Sequence, residues 1–394
     1  MARWFPLLIG LTACSGTTTA SLDGDVPADL AVRRPDDPCA LAGGCAPGKW
    51  VDVTPPNVDL TDHLSCDNFG TETVQVDPAH PEQLYALFSC QGIWRSTDYG
   101  QTWTGPLNQG DSADCAGGIT IPPVDTASPP VLYQSCIRGK ATGFSRSTNG
   151  GVDWTRYDVN VPGSNNQFYP PAVDPYDPKH LLLSGHGVAV LAESSDGGLT
   201  WSEIVMASDM KGGATVDISF IDTGVAATTH DTWLSIGQAG NTGTWRTTTG
   251  RAGGAGGWQQ VETNTHPPGI GQIYQPDTGG VVYMTGLYSK LGFGVFRSTD
   301  YGATWAHFGD MNLQERVVFG TAKNVYAMMG NEVPGTGSDP AIQVAAQPGT
   351  AWAGVATPPG MTQGPLQVAV TSDGQHSIVV LANWTAGLWR YVEP

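Results

Sequence analysis

The chain has 394 residues, with 36 Asp and Glu against 18 Lys and Arg, a net charge of −18 and a pI near 4.6. Such a field repels phosphate backbones and anionic membrane surfaces, which excludes nucleic acid as a partner. Gly (52) and Pro (29) exceed a fifth of the chain and only 14% of residues are charged, while 13 Trp and 12 Tyr exclude disorder, so the composition reads as short strands joined by tight turns.

In chain order, the first element is a processing signal. "MARWFPLLIGLTAC" has Arg3, a short apolar stretch and small residues before Cys14, and the stretch is too short to span a bilayer. Leu11-Thr12-Ala13-Cys14 resembles the bacterial lipobox, which implies export and lipidation of Cys14. Ser15, in place of Asp, then implies sorting to the outer membrane or cell surface. The competing reading is an ordinary secretory signal with an incidental cysteine. Residues 1–14 are therefore read as signal peptide and lipobox, 15–47 as a flexible tether, and 48–394 as one folded domain.

The folded part is repetitive. "RSTDYGQTW" (95–103) returns as "RSTDYGATW" (297–305), with relatives "RSTNGGVDW" (146–154) and "ESSDGGLTW" (193–201). Two worn copies end at Trp258 and Trp352. The closing Trp residues recur about every fifty residues, the length of one four-stranded propeller blade. Alternating stretches such as "ETVQVD", "QLYALFSC" and "GIWRSTD" supply the first three strands of a unit, and the fourth starts at the Trp. "GLWRYVEP" (387–394) matches a third strand, and "GKWVDVTPP" (48–56) matches a fourth beginning at Trp50. The expected architecture is all-β: a single seven-bladed propeller whose last blade is completed by an N-terminal strand, leaving no open edge.

Ser-x-Asp-x-Gly-x-Thr-Trp resembles the Asp-box, or BNR repeat, of bacterial sialidase-like propellers. Ser96, Asp98, Gly100 and Trp103 match it, as do Ser194, Asp196 and Trp201, and Ser298, Asp300 and Trp305. The copy at Ser147, Asn149 and Trp154 departs, with Asn for Asp and Asp153 for Thr. Short polar side chains here tie down a turn, Gly takes a positive φ and Trp fills the space between sheets, so the repeated residues are structural. The longer unit at 76–103 is similar to that of xyloglucanase-type glycoside hydrolases, sortilin-type receptors and photosystem assembly factors. The resemblance implies that ligands bind on the face opposite these turns. Sialidases have six blades and an arginine-rich entry motif not found here, which argues against true sialidase activity, and xyloglucanases generally set substrate between two propellers, where this chain has one.

Setting Cys14 aside leaves six cysteines, Cys39, Cys45, Cys66, Cys90, Cys115 and Cys136. Cys66 and Cys115 precede equivalent strands and Cys90 and Cys136 end equivalent strands, so the expected bridges are Cys66–Cys90, Cys115–Cys136 and Cys39–Cys45. The eight His include no HExxH and no i, i+4 pair, and neither metal nor cofactor is expected. On the ligand face, Asn165, Asn166, Phe168 and Tyr169 of "NNQFYPP" suit stacking on sugar rings and bonding to hydroxyls, with Arg138 and Arg316 nearby in the fold. Two functions follow. The first is a monomeric, lipid-anchored module that binds a glycan or an envelope protein or extended peptide. The second is a glycoside hydrolase with a carboxyl pair from Asp67, Asp209 and Glu315.

Overall fold

The structure, a computed structural model, describes Cys39 and residues 45–60, 69–212, 216–237, 243–262, 273–276, 279–286, 294–309, 317–328, 342–346 and 351–394. Cys14, Cys66, Asp67, Glu315 and Arg316 lie outside the described residues. No helix among the described residues is long and apolar enough to cross a membrane.

Seven antiparallel sheets form the blades of a β-propeller. Blade 1 holds Thr71–Asp77, His80–Phe88 and Gly92–Ser96; blade 2 runs from Ala116–Thr120 to Thr155–Tyr157, blade 3 from Ala172–Asp174 to Ser202–Glu203, and blade 4 from Val216–Phe220 to Gln259–Glu262. Blade 5 contains Val282–Gly286, Gly294–Ser298 and Ala306–His307, and blade 6 runs from Val317–Gly320 to Ala353–Val355. In blade 1 the fourth strand shrinks to a bridge between Arg95 and Thr104, and in blade 5 the first shrinks to Tyr274 against Tyr283. Blade 7 combines Gln367–Ser372, Ser377–Ala382 and Leu388–Val392 with Trp50–Asp52. Trp50 pairs with Tyr391 and Asp52 with Trp389, so the ring is clasped as the sequence implied. Thr54 Oγ1 accepts the Leu388 N–H at 2.9 Å beside this seam.

The core shows why the ring holds. Among the described residues it is divided into seven apolar clusters, each shared by two consecutive blades, from Leu87 and Ile93 against Ile119 and Leu132 between blades 1 and 2 to Phe88 and Trp94 against Val380 and Leu388 between blades 1 and 7. Each blade is apolar on both faces and no blade buries its surface alone.

The repeated turns join the third and fourth strands of a blade on one face, here called lower. Ser96 Oγ accepts the Gly100 N–H at 2.8 Å and donates to Asp98 Oδ1 at 2.7 Å. Asp98 in turn accepts the Thr102 N–H at 2.9 Å and its hydroxyl at 2.6 Å. The same set recurs at Ser194–Asp196–Thr200 and Ser298–Asp300–Thr304. In the departing copy the bond survives with its donor and acceptor exchanged: Asn149 Nδ2 donates to Asp153 Oδ2 at 2.9 Å. The turn also fastens neighbours together. A Cβ on Gly198 of blade 3 would lie 2.2 Å from Phe144 of blade 2, and one on Gly100 would lie 2.8 Å from Val380 of blade 7. Arg390 of blade 7 donates to the Tyr99 carbonyl of blade 1 at 2.8 Å, as Arg246 of blade 4 does to Tyr301 of blade 5.

Two of the expected disulfides, Cys115–Cys136 and Cys39–Cys45, are present, and Cys90 is also disulfide-bonded.

Candidate functional site

Strand direction places the turns between second and third strands, and the crossings from blade to blade, on the upper face. There the ring is rimmed by aromatic and cationic groups from four consecutive blades. Trp384 occupies the second turn of blade 7 and packs edge-to-face on Phe69, which leads into blade 1, with centroids 5.7 Å apart. The Arg138 guanidinium, at the top of blade 2, lies 5.9 Å from the Phe69 centroid. Its positive charge, after burial as the larger cause, holds the His186 imidazole of blade 3 below its usual pKa. His186 meets Tyr169 edge-to-face at 5.4 Å. Trp384, Phe69 and Arg138 thus form one contact set on this rim and His186 with Tyr169 a second, with the Arg138 charge acting on His186 between them. All four rings are partly exposed and Arg138 is exposed.

Local backbone chemistry builds this rim. Trp384 takes a positive φ of 47°, unusual for a bulky side chain, at a turn locked by paired bonds with Thr71: Thr71 N–H to Trp384 O at 2.8 Å and the reverse at 3.1 Å. Gly70 is required beside it, because a Cβ there would fall 2.3 Å from the Trp384 carbonyl oxygen.

Beneath the rim lies a carboxyl group. Glu72 is 3% exposed and sits at a bulge, since Thr71 pairs with Phe88 and Thr73 with Leu87, leaving Glu72 unmatched. Burial raises its pKa from 4.5 to about 8, against the opposing pull of bonds from the Ser89 hydroxyl and the Gly117 amide. Glu72 is therefore a neutral acid at pH 7. Below, inner strands line the central channel, where a cavity of about 310 Å³ is bordered by Gln75, Thr120, Asp217, Ser219 and Gln367.

The expected ligand residues divide. Tyr169 and Arg138 belong to the rim. Asn165 is exposed, but its amide also shapes the loop, donating to the His186 carbonyl at 2.8 Å. Asn166 adopts φ 59° and reaches the Thr142 carbonyl at 3.4 Å. Phe168 is fully buried in the core between blades 2 and 3, contrary to a stacking role. Neighbours in an extended segment point oppositely, so only one of Phe168 and Tyr169 faces outward. Asp209 is exposed, with Ser208 Oγ bonded to its carboxylate at 3.0 Å in a single 3-10 turn. Glu72, Phe69 and Trp384 were missed by the sequence reading of the site. Glu72 looks like an ordinary strand residue, and its only signal is a charge in an otherwise Thr- and Val-rich inner strand.

No family model matches the chain. Among curated proteins, it is 26% identical over 197 residues to the xyloglucanase Xgh74A of Acetivibrio thermocellus, a match that takes in 40% of this chain and 22% of that protein. The chain thus spans less than a quarter of the curated relatives it matches. Among solved structures it superposes on the GH74 xyloglucanase of Xanthomonas campestris with a TM-score of 0.61 at 17% identity, over 87% of this chain and 53% of that one. YCF48 bound to D1 peptide gives a TM-score of 0.56 at 12% identity, over 88% and 97% of the two chains. What they share with this chain is the propeller fold.

Proposed function

We propose that the protein is an exported, lipid-anchored propeller that binds a glycan chain along the upper rim. The observation that carries this reading is the gathering of Trp384, Phe69, Arg138, His186 and Tyr169 along one rim. Aromatic faces and edges stack on the C–H faces of pyranose rings, while Arg138, Asn165 and His186 offer polar groups to hydroxyls. The partial likeness to a xyloglucanase supports a polysaccharide as ligand. An extended envelope peptide is the other ligand of similar shape, and YCF48, of the same fold, has been seen bound to D1 peptide.

The test is binding of the full-length protein in mild detergent to xyloglucan, other β-glucans and envelope peptides. Retention on one polysaccharide, lost in Trp384→Ala, supports the reading; equal retention of the two proteins refutes it.

A second reading, a glycoside hydrolase, is supported by the partial likeness to a xyloglucanase. It predicts new reducing ends from the same polysaccharide.

A further inference from the structure

The lower face holds a second cluster, at the junction of blades 3 and 4. Asp174 ends the inner strand of blade 3, and His180 lies on the second strand of that blade. His230 follows the single helical turn Ala226–Thr229 in the loop between the first two strands of blade 4. Asp174 Oδ2 stands 3.0 Å from His180 Nδ1 and 3.3 Å from His230 Nδ1. The three ligand atoms lie within 4.8 Å of one another.

We propose that Asp174, His180 and His230 bind a divalent transition-metal ion of the zinc class. Two imidazole nitrogens and a carboxylate oxygen form the donor set that such ions take, with one position left to solvent. Bonds of about 2.0–2.1 Å at tetrahedral angles separate ligand atoms by about 3.3 Å, close to the two spacings seen. The supporting groups are also in place. His180 Nε2 stands 3.0 Å from Glu193 Oε1, so that with Nε2 protonated this bond leaves Nδ1 as the free lone pair. Arg251 Nε donates to the other Glu193 oxygen at 2.6 Å and fixes that carboxylate.

Access and fit come from His230. Asp174 and His180 are buried, whereas the His230 side chain is 44% exposed. The two imidazole centroids are 3.9 Å apart with planes tilted by 33°, so His230 must turn partly out of the stack to aim its lone pair at a shared ion. Its backbone carbonyl stays held by the Trp233 indole N–H at 2.8 Å. The expectation of no metal rested on motif spacing along the chain. Here the ligands are six and fifty positions apart and meet only through the packing of two blades.

The test uses full-length protein without a histidine tag, stripped with chelator, dialysed against excess Zn²⁺ or Co²⁺ and desalted. One ion per chain by elemental analysis and the visible absorption of tetrahedral Co²⁺ are expected. His230→Ala, at an exposed position that leaves the core intact, should weaken Zn²⁺ affinity by at least tenfold. Glu193→Gln should weaken it by about 10- to 100-fold through the orienting bond. No bound ion in the wild type, or stoichiometry and spectrum unchanged in His230→Ala, overturns the proposal and leaves the cluster as a structural ion pair.

Discussion

Replacing Glu72 by Gln should change how stability depends on pH. Glu72 titrates at about 8 in the folded protein, against an ordinary value of 4.5. Between those values the unfolded chain has lost the proton and the folded protein keeps it. The folded state therefore binds more protons, and its stability falls as pH rises, by up to about 1.4 kcal/mol per pH unit. The contribution is intact below 4.5 and fully lost above about 8, a total of about 5 kcal/mol. That is a large share of the roughly 5–15 kcal/mol that separates folded from unfolded domains. Gln keeps an oxygen for the Ser89 hydroxyl and never ionises. The assay is urea unfolding of both proteins at pH 5 and pH 8 with disulfides intact, where other titrating groups cancel in the comparison. Relative to wild type, Glu72→Gln should gain about 4 kcal/mol between the two conditions. Parallel loss of stability in the two proteins would show that Glu72 ionises normally and sink the argument.

Asn149→Asp should set two carboxylates against each other across the 2.9 Å contact with Asp153, costing about 1–2 kcal/mol, and Asp153→Thr in the same chain should restore it because the other turns use that pair. Thermal unfolding of the two singles and the double reads this coupling. Replacing Cys115 and Cys136 together by Ser should cost about 3 kcal/mol for a closed loop of 21 residues, read by denaturant unfolding. Trp384→Ala should lower affinity for a bound polysaccharide at least tenfold without shifting the unfolding midpoint by more than a few degrees, read by calorimetric titration and thermal melting.

The ring was legible because its repeat is a packing repeat. Each turn must supply a small residue where the preceding blade leans on it, as Gly198 does under Phe144, and a Trp to fill the gap, so the same letters recur at blade spacing. Even the degenerate copy follows the rule, since Asn149 and Asp153 exchange the roles of donor and acceptor. The clasp was readable for the same reason: Trp50 stood without a third strand before it, and Leu388–Val392 without a fourth after it. The sites carry no such period. Trp384 and Tyr169 come from blades 7 and 3, and nothing in the local sequence of either announces the other. Phe168 and Tyr169 look alike as letters, and only the path of the extended segment decides which is core. The pairing of His180 with His230 depends on a one-turn insertion in blade 4 that follows no repeat.

The clasp also dictates an order of events in time. Trp50–Asp52 is the earliest described strand to emerge during synthesis or translocation, and its partner Leu388–Val392 is the latest. The bond from Leu388 to Thr54 joins positions 334 residues apart. Blades 1 to 6 have all their strands beforehand and can stack successively, but the interface of blades 7 and 1, to which Ala369, Ile378 and Val380 already contribute, is completed only when Leu388–Val392 pairs with Trp50–Asp52. Until then the cluster around Val53, Leu84 and Phe88 lacks Leu388 and Val392. Maturation of this ring is a single late commitment, and a chain interrupted shortly before residue 388 forfeits the seam rather than one blade's worth of stability.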